Sequence, residues 1–325
     1  MSLRNLAAAG LVDVGTTRVE HTRRRALAFV LDESFLRAFK VLLYSLVATR
    51  SVLDLPVLVY TQDRKVYDDP VVKAVADRRV FITDDDIAQF RTVSRENVRK
   101  DKQLSWIAKY TFLKWMIFDD HDVDDLLFID ADIVALTPCD TIFDDAAGVD
   151  MGIAPRFLDT LSVKDGKPRP PEDVLQNFQA MIDGNFPKDH IRINSGVMVL
   201  SGACLTKGFR QKLLDMTGAR DFTNEQSYVS EVLETDPDVT WRMLSSKYNF
   251  NARELKRATT PDQLSLLSQT VFLHYVGKIK PWTRPVRNNS RTTKMIWRHY
   301  ETEALDRSEL LGKHNPAKRL VRDWI

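Results

Sequence analysis

Cysteine is nearly missing from this chain: Cys139 and Cys204 are its two in 325 residues. They make neither a metal-binding nor a redox spacing, and such scarcity suits a reducing cytoplasm. A surplus of one charge is missing too. Lys and Arg number 47 against 45 Asp and Glu, a net charge of +2, whereas a dedicated nucleic-acid binder shows a clear basic excess. No run approaches the roughly 20 apolar residues that a membrane span requires. The Ala-rich amino-terminal piece has Arg4 as its one early positive charge, which makes a poor signal peptide. Internal repeats and long low-complexity segments are also lacking. What remains is an ordinary globular composition, 44% apolar and 28% charged, long enough for one large α/β domain or two small ones.

The first 24 residues are polar, end in the basic run Arg23-Arg24-Arg25, and read as a poorly ordered arm. Ala26 to Leu31 reads as a buried strand. Asp32-Glu33-Ser34 is a polar turn, and Phe35, Leu36, Phe39, Leu42, Leu43 and Leu46 then recur at helical spacing. Further strands are expected at Leu55–Tyr60, Val80–Thr83, Leu126–Ile129, Met151–Ala154, Val197–Leu200 and Val271–Tyr275. Helices are expected near Val71–Ala76, from Trp106 to Ile117, at Phe209–Met216 and at Gln226–Leu233. Strands alternating with helices predict a largely parallel α/β sheet. Two stretches stand apart: the charged Asp84–Lys102, a solvated face or a flap over a phosphate-bearing ligand, and Arg156–Ile191, the longest irregular segment.

Chemistry concentrates in a few places. Asp130 and Asp132 interrupt the apolar run from Leu126 to Leu136, at the carboxyl end of a strand. Buried carboxylates need a partner or a metal, and ligands of open α/β sheets sit at that end. Asp84/Asp86, Asp120/Asp122, Asp122/Asp124 and Asp236/Asp238 share the spacing but lie in polar stretches, where facing water is their expected role. His274-Tyr-Val-Gly-Lys-Ile-Lys-Pro-Trp282 follows an apolar strand. His274 is either a satisfied core histidine or a ligand. Beside it, Gly277 permits close approach of backbone to a ligand, and Lys278 and Lys280 offer compact charge for phosphate. Thr223-Asn-Glu-Gln226 has the form of a capping box, which would account for Gln226 without catalysis.

In this order, Phe-Ile-Asp-Ala-Asp132, Arg-Ile-Asn-Ser-Gly-Val197, Asn-Glu-Gln226 and the His274–Trp282 string resemble glycosyltransferase family 8 over roughly residues 26 to 300. The resemblance implies a retaining transferase with the A-type glycosyltransferase fold, a UDP-sugar donor (glucose or galactose) and manganese in preference to magnesium. It implies Asp130, Asp132 and His274 as metal ligands, with Gly277 and Lys280 on the diphosphate. Asp32 and Ser34 match positions that meet uracil and ribose, although asparagine is common where Ser34 stands. Ala131 passes its backbone beside the ribose. Lys114 matches a basic residue reaching the donor sugar and phosphate; its other reading is a solvent-facing helix lysine. Asn194, Ser195 and Gly196 match residues that position sugar hydroxyls, with a plain turn as the alternative. Glu225-Gln226 stands where the family has Asp-Gln, beside the reacting carbon, so Glu225, Gln226 and Lys280 are the catalytic candidates. Glu225 also reads as a helix-start carboxylate favoured by the dipole.

The expected organisation is an arm over 1–24, a catalytic domain over 25–285 and a basic, aromatic extension over 286–325. That extension, with Trp297, Tyr300, Lys313, Lys318, Arg319, Arg322 and Trp324, is read as a packed helix or as a peripheral contact with an anionic membrane at the cytoplasmic face. The acceptor is a hydroxyl on a carbohydrate, a lipid-linked sugar or a protein. Two rivals stand. A sugar nucleotidyltransferase usually opens with a Gly-rich loop, absent from Leu31-Asp-Glu-Ser-Phe35, and a binding scaffold of the same fold would lack turnover.

Overall fold

The computed structural model describes residues 23–86, 88, 111–118, 122–156, 163–164, 167–168, 171–186, 193–219, 222, 224–277, 280–282 and 291–313. In chain order the elements begin β1 (Arg25–Leu31), α1 (Leu36–Ala48), β2 (Val57–Thr61), α2 (Arg64–Tyr67), α3 (Pro70–Val75), β3 (Arg78–Phe81), a 3-10 segment at Phe112–Phe118 and β4 (Asp125–Ile129). They continue through β5 (Ile133–Ala135), α4 (Ile142–Asp145), β6 (Met151–Pro155), the short pair β7 (Val163–Lys164) and β8 (Lys167–Pro168), α5 (Pro171–Ile182) and β9 (Ile193–Ser201). The last are α6 (Lys207–Ala219), α7 (Glu225–Thr235), β10 (Trp241–Met243), β11 (Phe250–Asn251), α8 (Thr260–Gln269), β12 (Phe272–His274) and α9 (Arg291–Lys313).

Seven strands form the main sheet in the order β10-β6-β9-β4-β1-β2-β3. Its middle is buried on both faces because side chains alternate across each strand. Leu27, Phe29 and Leu31 of β1, with Leu127 and Ile129 of β4, meet Phe39, Leu42, Leu43 and Leu46 of α1. Ala26, Ala28, Leu126 and Phe128 face the other way, onto Trp115, Phe118, Phe209 and Tyr228. Each fully buried Leu or Phe contributes about 1.5–3 kcal/mol of transfer free energy, so this sandwich anchors the ends of β1 and β4.

The sheet is largely parallel, as expected, with β9 antiparallel to both β4 and β6. Three departures from the expected pattern shape the site. β12 leaves the main sheet and joins a second one of order β11-β12-β5. Arg156–Ile191 is not irregular throughout: α5 lies within it and buries Phe178, Met181 and Ile182 at helical spacing. The expected helix ending at Ile117 is a 3-10 segment where described, and Trp106 and Tyr110 fall outside the described residues. Most of Asp84–Lys102 also lies outside them.

The basic start of the chain is taken up in ion pairs: Arg23 with Asp125 at 2.8 Å, and Arg24 with Asp122 and Asp124. At the other end, α9 packs through buried Trp297, whose ring centroid is 5.0 Å from both Tyr275 and Trp282. Buried Glu301 accepts from Trp297 Nε1 at 3.0 Å and from Arg37 of α1 at 2.9 Å. Lys318, Arg319, Arg322 and Trp324 lie outside the described residues. Among those described, no helix is long and apolar enough to cross a membrane.

Candidate functional site

β4 ends in the main sheet at Ile129 and β5 begins in the second sheet at Ile133, so Asp130-Ala131-Asp132 is the passage between the two sheets. The passage is pinned from both sides. Asp130 N–H donates to Gly196 O at 2.7 Å, and Tyr275 N–H donates to Asp132 O at 2.9 Å. The methyl of Ala131 is sunk into the core, 4% exposed. With the backbone held this way, the two carboxylates reach the imidazole of His274, the last residue of β12. Ligand atoms of all three lie within 4.8 Å of one another. His274 Nε2 is 3.2 Å from Asp132 Oδ1 and 3.9 Å from Asp130 Oδ2.

Two lysines close on this cluster. Lys114, from the 3-10 segment, places Nζ 2.8 Å from both oxygens of Asp130 and 3.9 Å from Glu225 Oε1. Lys280 hydrogen-bonds to Asp132 and donates to Tyr275 O at 3.1 Å. Burial works against charge on Lys114, but Asp130 and Glu225 outweigh it and hold its pKa above the usual lysine value. Burial likewise disfavours charge on Asp132, yet the ammonium of Lys280 prevails and holds its carboxyl well below the usual range. Lys114 is therefore no solvent-facing lysine.

β9 supplies the facing wall. Asn194, Ser195 and Gly196 lie inside the strand, not in a turn before it, because β9 already starts at Ile193. Asn194 Oδ1 accepts from Gly196 N–H at 2.9 Å and from Asn249 Nδ2 at 2.9 Å. Gly196 has to be glycine: a Cβ there would stand 2.4 Å from His274 Cε1. Ser195 Oγ donates to Glu225 Oε1 at 2.8 Å, and Ser195 N–H donates to Gln226 Oε1 at 3.1 Å. The capping-box expectation fails at this point. Asn224 is the N-cap of α7 and accepts from Ser227 N–H at 3.1 Å, while Gln226 turns to β9; Thr223 lies outside the described residues.

The turn after β1 is built locally. Asp32 Oδ1 accepts from Ser34 N–H at 2.7 Å, Ser34 Oγ at 2.5 Å and Phe35 N–H at 3.2 Å, which caps a 3-10 turn at Glu33–Phe35. Neither Asp32 nor Ser34 shares a hydrogen bond with the acidic cluster among the described contacts. The link is Phe35, whose ring centroid is 5.3 Å from Lys280 Nζ. Gly277 has φ +106°, a left-handed conformation suited to glycine. Arg253 Nη1 lies 3.1 Å from where a Cβ on Gly277 would sit. Lys278 is outside the described residues. Asn249 and Arg253 were not among the residues expected from sequence; neither lies in a motif that marks it.

The acidic pair, the histidine and the flanking lysines thus meet where the two sheets part. A sequence model of glycosyl transferase family 8 matches residues 26–285. The chain belongs to this family. No curated protein matches it in sequence. Among solved structures it is similar to the galactosyltransferase LgtC in complex with donor and acceptor sugar analogues, at 14% identity and TM-score 0.53 over 90% of this chain and 98% of that one. An active-site mutant of LgtC gives 14% identity and TM-score 0.56, over 91% of this chain and 99% of that one. The glycosyltransferase GlyE of Streptococcus pneumoniae TIGR4 gives 17% and 0.54, over 90% of this chain but 66% of its own length. These likenesses show the fold, the A-type glycosyltransferase arrangement of a mostly parallel sheet between helices. Family membership supports a transferase that moves a glycosyl group.

Proposed function

We propose that this family member transfers a hexose, glucose or galactose, from a UDP-sugar to an acceptor hydroxyl with retention of configuration. The observation that carries the reading is the meeting of Asp130, Asp132 and His274 with Lys114 and Lys280 at one end of the sheet. The donor set fits a divalent cation. Counted as ionised, Asp130, Asp132 and Glu225 outnumber the two ammonium groups by one charge, and the imidazole favours manganese over magnesium, which prefers oxygen ligands. Bound by Asp130, Asp132 and His274, the ion supplies Lewis-acid neutralisation of the diphosphate.

The chain's own residues do the rest. Lys280 and Lys114 place positive charge where the departing UDP gains negative charge. Gly277 lets backbone approach the diphosphate without a Cβ in the way, and the Asp32–Ser34 turn and the Ala131 backbone flank the nucleoside. Asn194, Ser195 and Gly196 line the sugar's side. Glu225 and Gln226, held through Ser195, face the anomeric centre and stabilise its positive character. Attack from the face that UDP leaves preserves configuration, and the acceptor proton passes to the departing phosphate oxygen. No protein base is then required. The acceptor is a hydroxyl of a carbohydrate, a lipid-linked sugar or a protein.

A panel of UDP-sugars with manganese, read as UDP release with and without acceptor extracts, tests this. One UDP-hexose should turn over and stabilise the fold against heat. Binding without turnover under every condition would make the chain a scaffold instead.

A further inference from the structure

The orientation of His274 can be read from a chain of hydrogen bonds that starts in β9. The backbone N–H of Gly196 can only donate, so the atom of Asn194 that receives it at 2.9 Å is the side-chain oxygen. That oxygen also faces the side chain of Asn249 at 2.9 Å, so the Asn249 atom there is the amide nitrogen. The same nitrogen donates to Asn194 O at 3.3 Å, which agrees with the assignment. The other amide atom of Asn249, its oxygen, therefore faces His274 Nδ1 at 2.6 Å, and Nδ1 is the ring nitrogen that carries the proton. In the neutral ring, Nε2 is left with its lone pair toward Asp130 and Asp132. The Asn194 orientation follows from a backbone donor, and that of Asn249 from the two acceptors of Asn194.

The surroundings leave this arrangement little freedom. Asn249 is 5% exposed and His274 4% exposed. Asn249 closes the 3-10 turn Ser246–Tyr248, immediately before β11, and β11 is in register with β12 through Asn251 and His274. Gly196 packs against the imidazole so closely that a Cβ would fall within 2.8 Å of Nδ1. The ring is thus gripped at one edge by Asn249 and along its plane by β9, and only the Nε2 edge turns to the acidic pair.

We propose that Asn249 is a positioning residue for cation binding: by accepting the Nδ1 proton it fixes the tautomer and the ring plane that present Nε2 as a ligand. The inference rests on the reading of Asp130, Asp132 and His274 as a cation site. Outer partners of this kind set metal affinity by about 10- to 100-fold.

The test uses the full chain with two readouts. Histidine-selective nitrogen NMR of the metal-free protein, assigned against His274→Gln, reports whether Nδ1 bears a slowly exchanging proton. Manganese EPR titration reports affinity. The wild type should show the protonated Nδ1. Asn249→Leu should lose the protected proton and bind manganese about 10- to 100-fold more weakly, and Asn249→Gln, which keeps an acceptor for Nδ1 and a donor for Asn194, should bind more tightly than the leucine variant. A bare Nδ1 in the wild type, or equal affinity in the leucine variant, overturns the role of Asn249 alone. A wild type that takes up no manganese overturns the cation reading, and this role with it. Should the leucine variant not fold, Asn249→Ala is read in its place: a loss of about tenfold or more supports the proposal and affinity within about threefold of wild type contradicts it.

Discussion

β4 carries an Asp-X-Asp pair at each end. Asp122 and Asp124 precede it and Asp130 and Asp132 follow it, so spacing cannot separate them. Surroundings do. Asp122 and Asp124 have side chains 94% and 39% exposed and share Arg24 at the surface. Asp130 and Asp132 are 20% and 5% exposed, each has its own lysine, and His274 stands between them. At the first end the chain merely enters the sheet. At the second it passes from one sheet into another, and the gap between the sheets gathers β9, β12 and the Phe112–Phe118 segment around two carboxylates. A charge pair at the surface is worth little because water and salt screen it. The same pair buried is costly unless partnered, which makes it a place to hold a cation.

The contrast breaks first in activity. Asp132→Ala should lower manganese-dependent UDP release by at least about 10³-fold, the scale of losing several kcal/mol of charge stabilisation, while Asp122→Ala leaves it unchanged; equal losses in the two would erase the distinction. Stability comes next. Lys114→Met strands Asp130 and Glu225 and should cost about 3–5 kcal/mol in urea unfolding, whereas Arg24→Met should leave the urea midpoint where it is. Gly196→Ala should cost about 1–3 kcal/mol by pushing His274 aside and weaken manganese binding in the same EPR titration.

The smallest effect is in acid. Because Asp132 is held below its unfolded pKa of about 3.9, its contribution is present above that pH and fades as the pH falls through the folded value. The stability gap between wild type and Asp132→Asn should therefore shrink as the pH falls below about 4. A gap that stays unchanged below that pH would contradict the ion pairing.

Much of this was legible in the sequence, for reasons that differ by residue. β1, α1 and β4 follow from apolar periodicity, because burial on both faces leaves an unbroken run and burial on one face leaves a helical stripe. That Asp130 and Asp132 would be drawn into a cluster followed from their apolar setting. The antiparallel course of β9 was not legible, since strand direction leaves no mark on a short apolar run. Gln226 carried two readings, a capping-box residue and a catalytic candidate, because Thr223 and Asn224 are equally good N-caps; its bond to Ser195 removes the first. α5 was hidden by the Pro-rich stretch before it, although Leu175, Phe178, Met181 and Ile182 carry its spacing. Asn249 had no local signature at all; its meaning arises from β11 lying beside β12.

Manganese binding to the wild type and to the two aspartate variants, in the presence of UDP, tests the central claim most directly. One ion per chain should bind the wild type and Asp122→Ala alike, and none should bind Asp132→Ala. Equal uptake by Asp132→Ala would contradict the site.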